Sequence, residues 1–372
     1  MLNLPPMFLE SVEAANFRNL NGRLKGESGL NILIGKNGQG KTNWLEAISV
    51  LSTTRSFRTP RLQEAVRFGA EMAIVRGTVQ RAEGLHRELR AVIQGGNKSF
   101  FVNDKRESVQ NYVNHLHSIV FNADELEVVR GLPDVRRRFL DRAIASIHPP
   151  YVQTISDYAR VIKQKNAILS KSEDEGRPLK KVTEQLEPWN EQLAIHGSRI
   201  HRSRLRYVER LNDALERRLF GSELVQLRYA SSLEGKGDLS AYDELIATRL
   251  NVRVQAELAA GYSLVGPHRD DLEILLDGAD IRKYGSAGQQ RSTFLLIQIA
   301  NISIYHSQNF EYPLFLLDEI DSELDYDRVG SLMEFLKGKT QTFVTTSKEN
   351  FVTAFGSDAA VFDIADGNAN PR

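Results

Sequence analysis

The run Gly35-Lys36-Asn37-Gly38-Gln39-Gly40-Lys41-Thr42 places glycines, a lysine and a threonine at a spacing that can cradle a nucleotide triphosphate. Glycines there let the backbone curl so that successive N–H groups point at phosphate oxygens. The Lys41 ammonium would then reach the β- and γ-phosphates, and the Thr42 hydroxyl would be a ligand for Mg²⁺. Such a P-loop needs a buried strand before it and a helix after it. Ile32-Leu33-Ile34 and Trp44-Leu45-Glu46-Ala47-Ile48 supply both, and the helix amino terminus adds a dipole that favours anions. A glycine-rich surface turn, the alternative, has no need of that context. All eight residues are expected to bind ATP, with Lys41 also acting in catalysis and Thr42 on the metal.

A second pattern, Pro313-Leu-Phe-Leu-Leu-Asp318-Glu319, is an apolar strand ending in two carboxylates, the form of a Walker B motif. Asp318 is expected to hold Mg²⁺ and Glu319 to act as general base on the attacking water. An acidic pair after a strand is ordinarily a solvated strand end, and the P-loop upstream argues against that here. A third, Tyr284-Gly285-Ser286-Ala287-Gly288-Gln289-Gln290-Arg291, enters an apolar helix, and its Ser-x-Gly-Gln core matches the signature of ABC-type ATPases. Taken alone it could be a helix cap on a flexible turn. Asp321-Ser322-Glu323-Leu324-Asp325 follows at the place of a D-loop, and the strand Thr342 to Thr345 ends where a switch residue sits, at Thr346 or Ser347.

The elements that must carry these motifs follow from periodicity. Met72 to Val79, Glu88 to Gln94, Ser99 to Val102 and Ser118 to Phe121 read as strands. From Pro133 the period becomes helical, and Pro149-Pro150 stops that helix. A second helix carries Val152 to Leu169, and the charged stretch Lys171 to Glu184 reads as a loop at a tip. Trp189 to Leu219 predicts one long helix, roughly 45–50 Å at 1.5 Å per residue, with gaps in its apolar stripe at Gly197 and Arg204. Then come a strand (Leu224 to Tyr229), a helix (Leu239 to Ala260) and a hairpin turned at Asp277-Gly278. Alternation of Phe294 to Tyr305, Leu314 to Leu317, Val329 to Leu336 and Thr342 to Thr345 predicts an α/β sheet. The fold class is therefore α/β, an ABC-type P-loop ATPase head split by a helical insertion that forms a short coiled-coil-like arm. The expected boundaries are 1–125 and 223–372 for the two parts of the head and 126–222 for the arm.

Composition narrows the classes. The chain has 372 residues, 41% hydrophobic, without cysteine, which excludes disulfides, thiolate catalysis and cysteine-based zinc sites and fits a reducing cytoplasm. No signal peptide is visible at the amino terminus, and no apolar run approaches the roughly 18 residues of a membrane span. Lys+Arg and Asp+Glu are equal at 48 each, so overall charge gives nucleic-acid binding no support and any DNA contact needs a local patch. Arg136, Arg137 and Arg138 form the densest basic cluster, with Arg130 and Arg142 nearby and Arg199, Arg202, Arg204, Arg206 and Arg210 along the long helix. They could neutralise phosphates. A solvated or intramolecularly paired face is the alternative, and Asp134, Asp141 and Glu209 favour it. His268, with no spaced metal-ligating partner, reads as a turn residue or structural contact.

Several blocks are more specific than a P-loop. Asn16-Phe17-Arg18-Asn19-Leu20, Arg55-Ser56-Phe57-Arg58, Pro133 to Asp141, Gly266-Pro267-His268-Arg269-Asp270-Asp271 and Gly288-Gln289-Gln290-Arg291 together resemble the RecF family over nearly the whole chain. Two positions depart from that family's pattern: Asn122-Ala123-Asp124-Glu125 lacks its usual proline, and Glu319 stands where it often has aspartate. The resemblance implies a cytoplasmic, weak, DNA-dependent ATPase using ATP and Mg²⁺. It implies an ATP-dependent homodimer in which Ser286, Gly288 and Gln289 contact nucleotide held by the partner's P-loop. It further implies binding of duplex DNA next to single-strand gaps, work with RecR and RecO mediators to load RecA recombinase, and no membrane partner. The rival readings are another small SMC-like ATPase of DNA metabolism, which would need a longer coiled coil or a nuclease domain, and a transporter ATPase subunit, which would have a switch histidine and no large split.

Overall fold

The computed structural model describes residues 7–81, 84–175, 179–215, 223–320 and 326–372. Along the chain run β1 (Met7–Phe17), β2 (Leu20–Lys25), β3 (Leu30–Ile34), α1 (Lys41–Thr53), β4 (Met72–Arg81), β5 (Leu85–Gln94), β6 (Asn97–Val102), β7 (Lys105–Glu107), α2 (Val109–Tyr112) and β8 (Ser118–Phe121). A helical stretch follows: α3 (Glu127–Arg130), α4 (Pro133–Ile147), α5 (Tyr151–Glu175) and α6 (Leu179–Leu215). Next are β9 (Val225–Ala230), α7 (Tyr242–Val252), α8 (Val254–Ala260), β10 (Asp271–Leu276), β11 (Ala279–Asp280) and α9 (Ile281–Tyr284). The chain ends with α10 (Ala287–Asn309), β12 (Leu314–Leu317), α11 (Tyr326–Leu336), β13 (Thr342–Thr346), α12 (Glu349–Phe355), β14 (Ala360–Ala365) and β15 (Asn368–Pro371).

The chain divides into two compact units, one built from Met1–Leu126, Arg217–Glu223 and Ser286–Arg372, the other from Glu127–Glu216 and Leu224–Gly285. The first unit holds two sheets. An antiparallel sheet runs β2-β1-β4-β5-β6-β7, and a second runs β15-β14-β3-β13-β12-β8, with every pairing parallel except β14 with β15. The central strands β3, β13 and β12 of the parallel sheet are buried on both faces, which is why Leu314–Leu317 reads as an unbroken apolar run, all four residues buried. Helix α1 packs against strands of both sheets, and its Trp44, Leu45, Ile48 and Leu51 join one core with Leu9, Phe17, Val75 and Phe343. Helix α10 is buried from Ser292 to Ile302 without a break, so it lies inside the unit and carries no amphipathic stripe.

The second unit differs from the arm expected at 126–222, because residues 224–285 pack with the helices. Strand β9 is tied to α6 by Asn212, whose side chain donates to the Leu227 carbonyl at 2.9 Å and accepts from the Leu227 N–H at 2.8 Å. A strand pattern cannot announce which element its backbone will bond. The hairpin turns as expected at Asp277-Gly278, with φ of 50° and 81°. The expected loop over Lys171 to Glu184 is shorter: α5 continues to Glu175 and α6 begins at Leu179, with 176–178 outside the described residues. Lysine and glutamate are good helix formers, and a charged stretch at a tip is equally a solvated helix end. Helix α6 also runs through Pro188. Leu169, Val182, Leu186 and Val254 form a small core between α5, α6 and α8. The expected helix from Leu239 to Ala260 is broken at Arg253 into α7 and α8. Gly197 interrupts the α6 stripe because a Cβ there would sit 3.0 Å from Ile246 Cδ1 of α7, and Arg204 interrupts it because its guanidinium is held by Asp141 at 2.9 Å through both oxygens.

Candidate nucleotide site

Strands β3, β13 and β12 lie side by side and parallel, so Gly35, Thr346 and Asp318 all emerge at one carboxyl edge. Ligands of open parallel sheets bind at that edge. The loop after β3 takes a left-handed turn at Gly40, φ 108°, where a Cβ would also lie 2.8 Å from the Asn19 side chain. Lys36, Asn37 and Gly38 are exposed, whereas Gln39 is anchored. Its carbonyl accepts from Gly367 N at 2.8 Å and its side-chain oxygen from Asp366 N at 2.8 Å. Lys41 is 4% exposed, and its Nζ donates to the carbonyls of Gly35 at 2.8 Å and Lys36 at 3.1 Å. The ammonium therefore sits within the concavity of the loop.

The Thr42 hydroxyl donates to Asp318 Oδ1 at 2.9 Å, which joins the P-loop to the β12 carboxylates across 276 residues of sequence. Thr345, fully buried on β13, completes the cluster. Its Oγ1 donates to Asp318 Oδ1 at 2.7 Å and accepts from Glu319 N at 2.8 Å. Sequence reasoning took the neighbouring Thr346 and Ser347 and missed Thr345, because an inward-facing threonine on a buried strand reads as packing. Thr346 instead accepts from Lys348 N at 3.0 Å, and Ser347 is exposed. Glu319 adopts φ 51°, a left-handed conformation costly for a residue with a side chain. Burial raises the Asp318 carboxyl above the usual carboxylate range, the Glu319 charge adds to this, and the hydrogen bonds from Thr345 and Thr42 oppose it. A hydroxyl and a carboxylate oxygen side by side are hard donors, which fit Mg²⁺ held by few protein ligands.

The blocks Asn16–Leu20 and Arg55–Arg58 converge behind the P-loop. Arg18 binds the fully buried Glu46 of α1 through two hydrogen bonds of 3.0 and 2.9 Å, and Ser56 donates to the same carboxylate at 2.6 Å. Arg58 donates to Asn43 at 2.7 Å, Asn43 to Asn19 at 2.7 Å, and Asn19 to the Gln39 carbonyl at 3.3 Å. These bonds hold the start of α1 and the loop in one geometry.

Ser286 caps α10: its Oγ accepts from Gln289 N at 3.2 Å, and the Gln289 side chain accepts from Ser286 N at 2.9 Å. Ser286, Ala287 and Gly288 are exposed. Among the described residues Ser286, Gly288 and Gln289 make no hydrogen bond to the P-loop. A Cβ at Gly288 would meet nothing within 4 Å, so nothing among the described residues demands glycine there, where it costs about 1 kcal/mol of helix propensity. Residues 321–325, the expected D-loop, lie outside the described residues.

The expected DNA contacts need correction at Arg136. It is 4% exposed and its guanidinium grips Asp271 at 2.7 and 2.8 Å, so it has no face to offer a phosphate. Arg137 donates to the Asp270 carbonyl at 2.6 Å, and Arg138 is exposed and paired with Asp134. The block Gly266–Asp271 is the hub of this network. Asp270 accepts from Tyr229 Oη at 2.6 Å and Ser232 N at 2.7 Å, and His268 Nδ1 meets Tyr158 Oη at 2.6 Å. Burial lowers His268 to about 4, so it is neutral and structural, as its sequence context suggested. Among the described residues no helix is long and apolar enough to cross a membrane.

Comparison with known proteins follows the same division of motifs. The family described as RecF/RecN/SMC N terminal domain matches residues 8–369. DNA replication and repair protein RecF of Geotalea uraniireducens is 35% identical over 352 residues, 92% of this chain and 93% of that protein. The protein of the same name from Oceanobacillus iheyensis is 34% identical over 375 residues, 98% of this chain and 100% of its own. A solved structure of the recombination mediator protein RecF-ATP in the RecFOR pathway has a TM-score of 0.89 at 31% identity, covering 99% of this chain and 98% of that one. An Smc head bound to the winged-helix domain of ScpA, 15% identical, shares the fold with a TM-score of 0.56 over 98% of this chain and 97% of its own.

Proposed function

The chain belongs to the RecF family, and from that premise we propose that it is an ATP-dependent recombination mediator that acts on DNA at single-strand gaps. The observation that carries the ATPase part is the meeting of Thr42, Asp318 and Thr345 at one sheet edge below the P-loop. ATP would lie with its phosphates against the N–H groups of residues 35–42, and Lys41 would swing from the Gly35 and Lys36 carbonyls to the β- and γ-phosphates. Mg²⁺ held by Thr42 and Asp318 would offset charge on those phosphates. Glu319 would take the proton of the attacking water. Its backbone is fixed for this by the Thr345 hydroxyl.

The exposed Ser286-Ala287-Gly288 at the amino end of a 23-residue helix supports a two-subunit site. A bare glycine beside a capped helix end leaves room for phosphate oxygens supplied from a second copy of the chain. Pairing each P-loop with the partner's Ser286, Gly288 and Gln289 makes an isologous interface. ATP would close that dimer and hydrolysis would open it. The RecFOR setting of the RecF-ATP structure supports RecR and RecO mediators as partners, and RecA loading would be the outcome of that partnership.

The direct test is anisotropy of a labelled gapped duplex titrated with the chain, with and without MgATP. Affinity that rises with MgATP is the expected result. Binding that ignores nucleotide, or none under either condition while ATP is hydrolysed, would remove DNA clamping from the reading.

Thr345 gives a second expectation. Thr345→Val leaves the Glu319 N–H without its hydroxyl acceptor and removes one of the two hydroxyls bound to Asp318 Oδ1, Thr42 keeping the other, a loss of about 1–3 kcal/mol per unsatisfied group. The kcat for ATP hydrolysis should fall about tenfold or more and the Mg²⁺ requirement should rise, with ATP affinity little changed. Thr345→Ser, which keeps the hydroxyl, should restore both. A valine variant with unaltered turnover and Mg²⁺ dependence would make Thr345 a packing residue only.

A further inference from the structure

We propose that the cleft between the α4–α5 junction and α6 is a groove for the phosphate backbone of duplex DNA. The proposal rests on the DNA-binding reading above and names the surface that reading lacks. The cleft has a volume of about 360 Å³ and is lined by His148 and Thr154 on one side and by Arg199, Arg202, Ser203 and Arg206 on the other.

The helix arithmetic makes the arginines one stripe. At about 100° per residue, positions 199, 202 and 206 fall within roughly 60° of one another, and Arg210 extends the same line. From Arg199 to Arg206 the rise is about 10 Å, comparable with the span of about three phosphates along one strand of a duplex. All four arginines are exposed.

Their partners set them apart from the other arginines of this unit. Arg136 and Arg204 are buried and gripped by Asp271 and Asp141. Arg199, Arg206 and Arg210 make no ion pair with any described residue. Arg202 meets Asp243 at 3.0 Å, but both side chains are more than half exposed, at 51% and 58%. Such a pair is worth little and gives way to a better anion. Two acidic residues nearby are already engaged, Asp157 by Arg160 and Asp141 by Arg204 and Tyr151. Glu209 on α6 is exposed and remains a local opposing charge.

The rest of the lining fits phosphate better than protein. Ser203 and Thr154 bring hydroxyl donors, and His148 a ring nitrogen. A protein hot spot needs an apolar pocket for an aromatic or aliphatic anchor. Here the apolar wall is Pro150 and Tyr151, and Tyr151 is only 2% exposed with its hydroxyl on Asp141. The groove therefore offers charge and donors in a line, which is what sequence-independent backbone binding uses.

The test compares the full chain with two triple variants, Arg199→Gln/Arg202→Gln/Arg206→Gln and Arg199→Lys/Arg202→Lys/Arg206→Lys. Each is titrated onto a labelled gapped duplex across a salt series, with MgATP present. The glutamine variant should bind about 10- to 100-fold more weakly at about 0.1 M salt, and its log K against log salt slope should flatten by about 2–3. The lysine variant should keep the slope. If the native chain binds DNA and the glutamine variant matches it in affinity and slope, the groove assignment is overturned while the DNA reading stands. If the glutamine variant keeps DNA binding but loses its response to an acidic protein such as a mediator partner, the groove is a protein site and the proposal is likewise overturned. If the native chain binds no DNA, the failure lies in the DNA reading itself.

Discussion

Lys41→Ala is expected to weaken ATP binding by about two to four orders of magnitude and to abolish ATP-dependent self-association. The lysine is the sole cation of the P-loop placed inside its concavity, 4% exposed, with Nζ at 2.8 and 3.1 Å from two loop carbonyls. Hydrogen bonds from a charged donor are worth about 1.5–3 kcal/mol each, and an ammonium shared between β- and γ-phosphates makes two. Every 1.4 kcal/mol, roughly, is tenfold in affinity. Titration with a fluorescent ATP analogue reads the first effect and sedimentation with MgATP the second. Thermal melting without nucleotide separates a lost phosphate contact from a collapsed loop. Native-like affinity in a folded variant would sink the assignment of Lys41.

Glu319→Gln should act in the opposite direction on the bound state. The amide keeps the shape of the side chain but cannot take a proton, so kcat should drop by about 10²–10⁴, the usual worth of a positioned general base. ATP affinity should stay within a few-fold, because Lys41, Thr42 and Asp318 are untouched. With hydrolysis blocked, an ATP-bound dimer should persist through gel filtration, where the native chain should return to monomer as it turns over. The Thr345 hydroxyl and the left-handed backbone at Glu319 both bear on this residue, and neither is altered by the substitution. A glutamine variant that hydrolyses ATP at the native rate would remove Glu319 as the base and direct attention to another group at the sheet edge.

The contrast between Asp318 and Glu319 is a matter of environment. Asp318 has its carboxylate bound by two hydroxyls and its ionisation disfavoured by burial and by its neighbour. A bound cation would reverse that preference by stabilising the charged form.

The P-loop, the apolar strands that carry it and the acidic pair, and the order of the motifs are legible in the order of the residues alone. Those features are local: a glycine pattern permits a left-handed turn, and a four-residue apolar run between a proline and an acidic pair favours a short buried strand. The residue order also carried the family, because blocks such as Gly266–Asp271 are spread along the whole chain. The fold is needed wherever partners come from far away along the chain. Thr42 and Asp318 are 276 residues apart, and Thr345 becomes part of the site only because β13 is inserted between β3 and β12. The densest arginine cluster turned out to hold an internal pair, since Asp271 reaches Arg136 across 135 residues. On α6 the fold again divides the arginines, burying Arg204 against Asp141 while Arg199, Arg206 and Arg210 face outward. Charge in a sequence is a count, whereas its availability depends on which carboxylate the fold brings beside it.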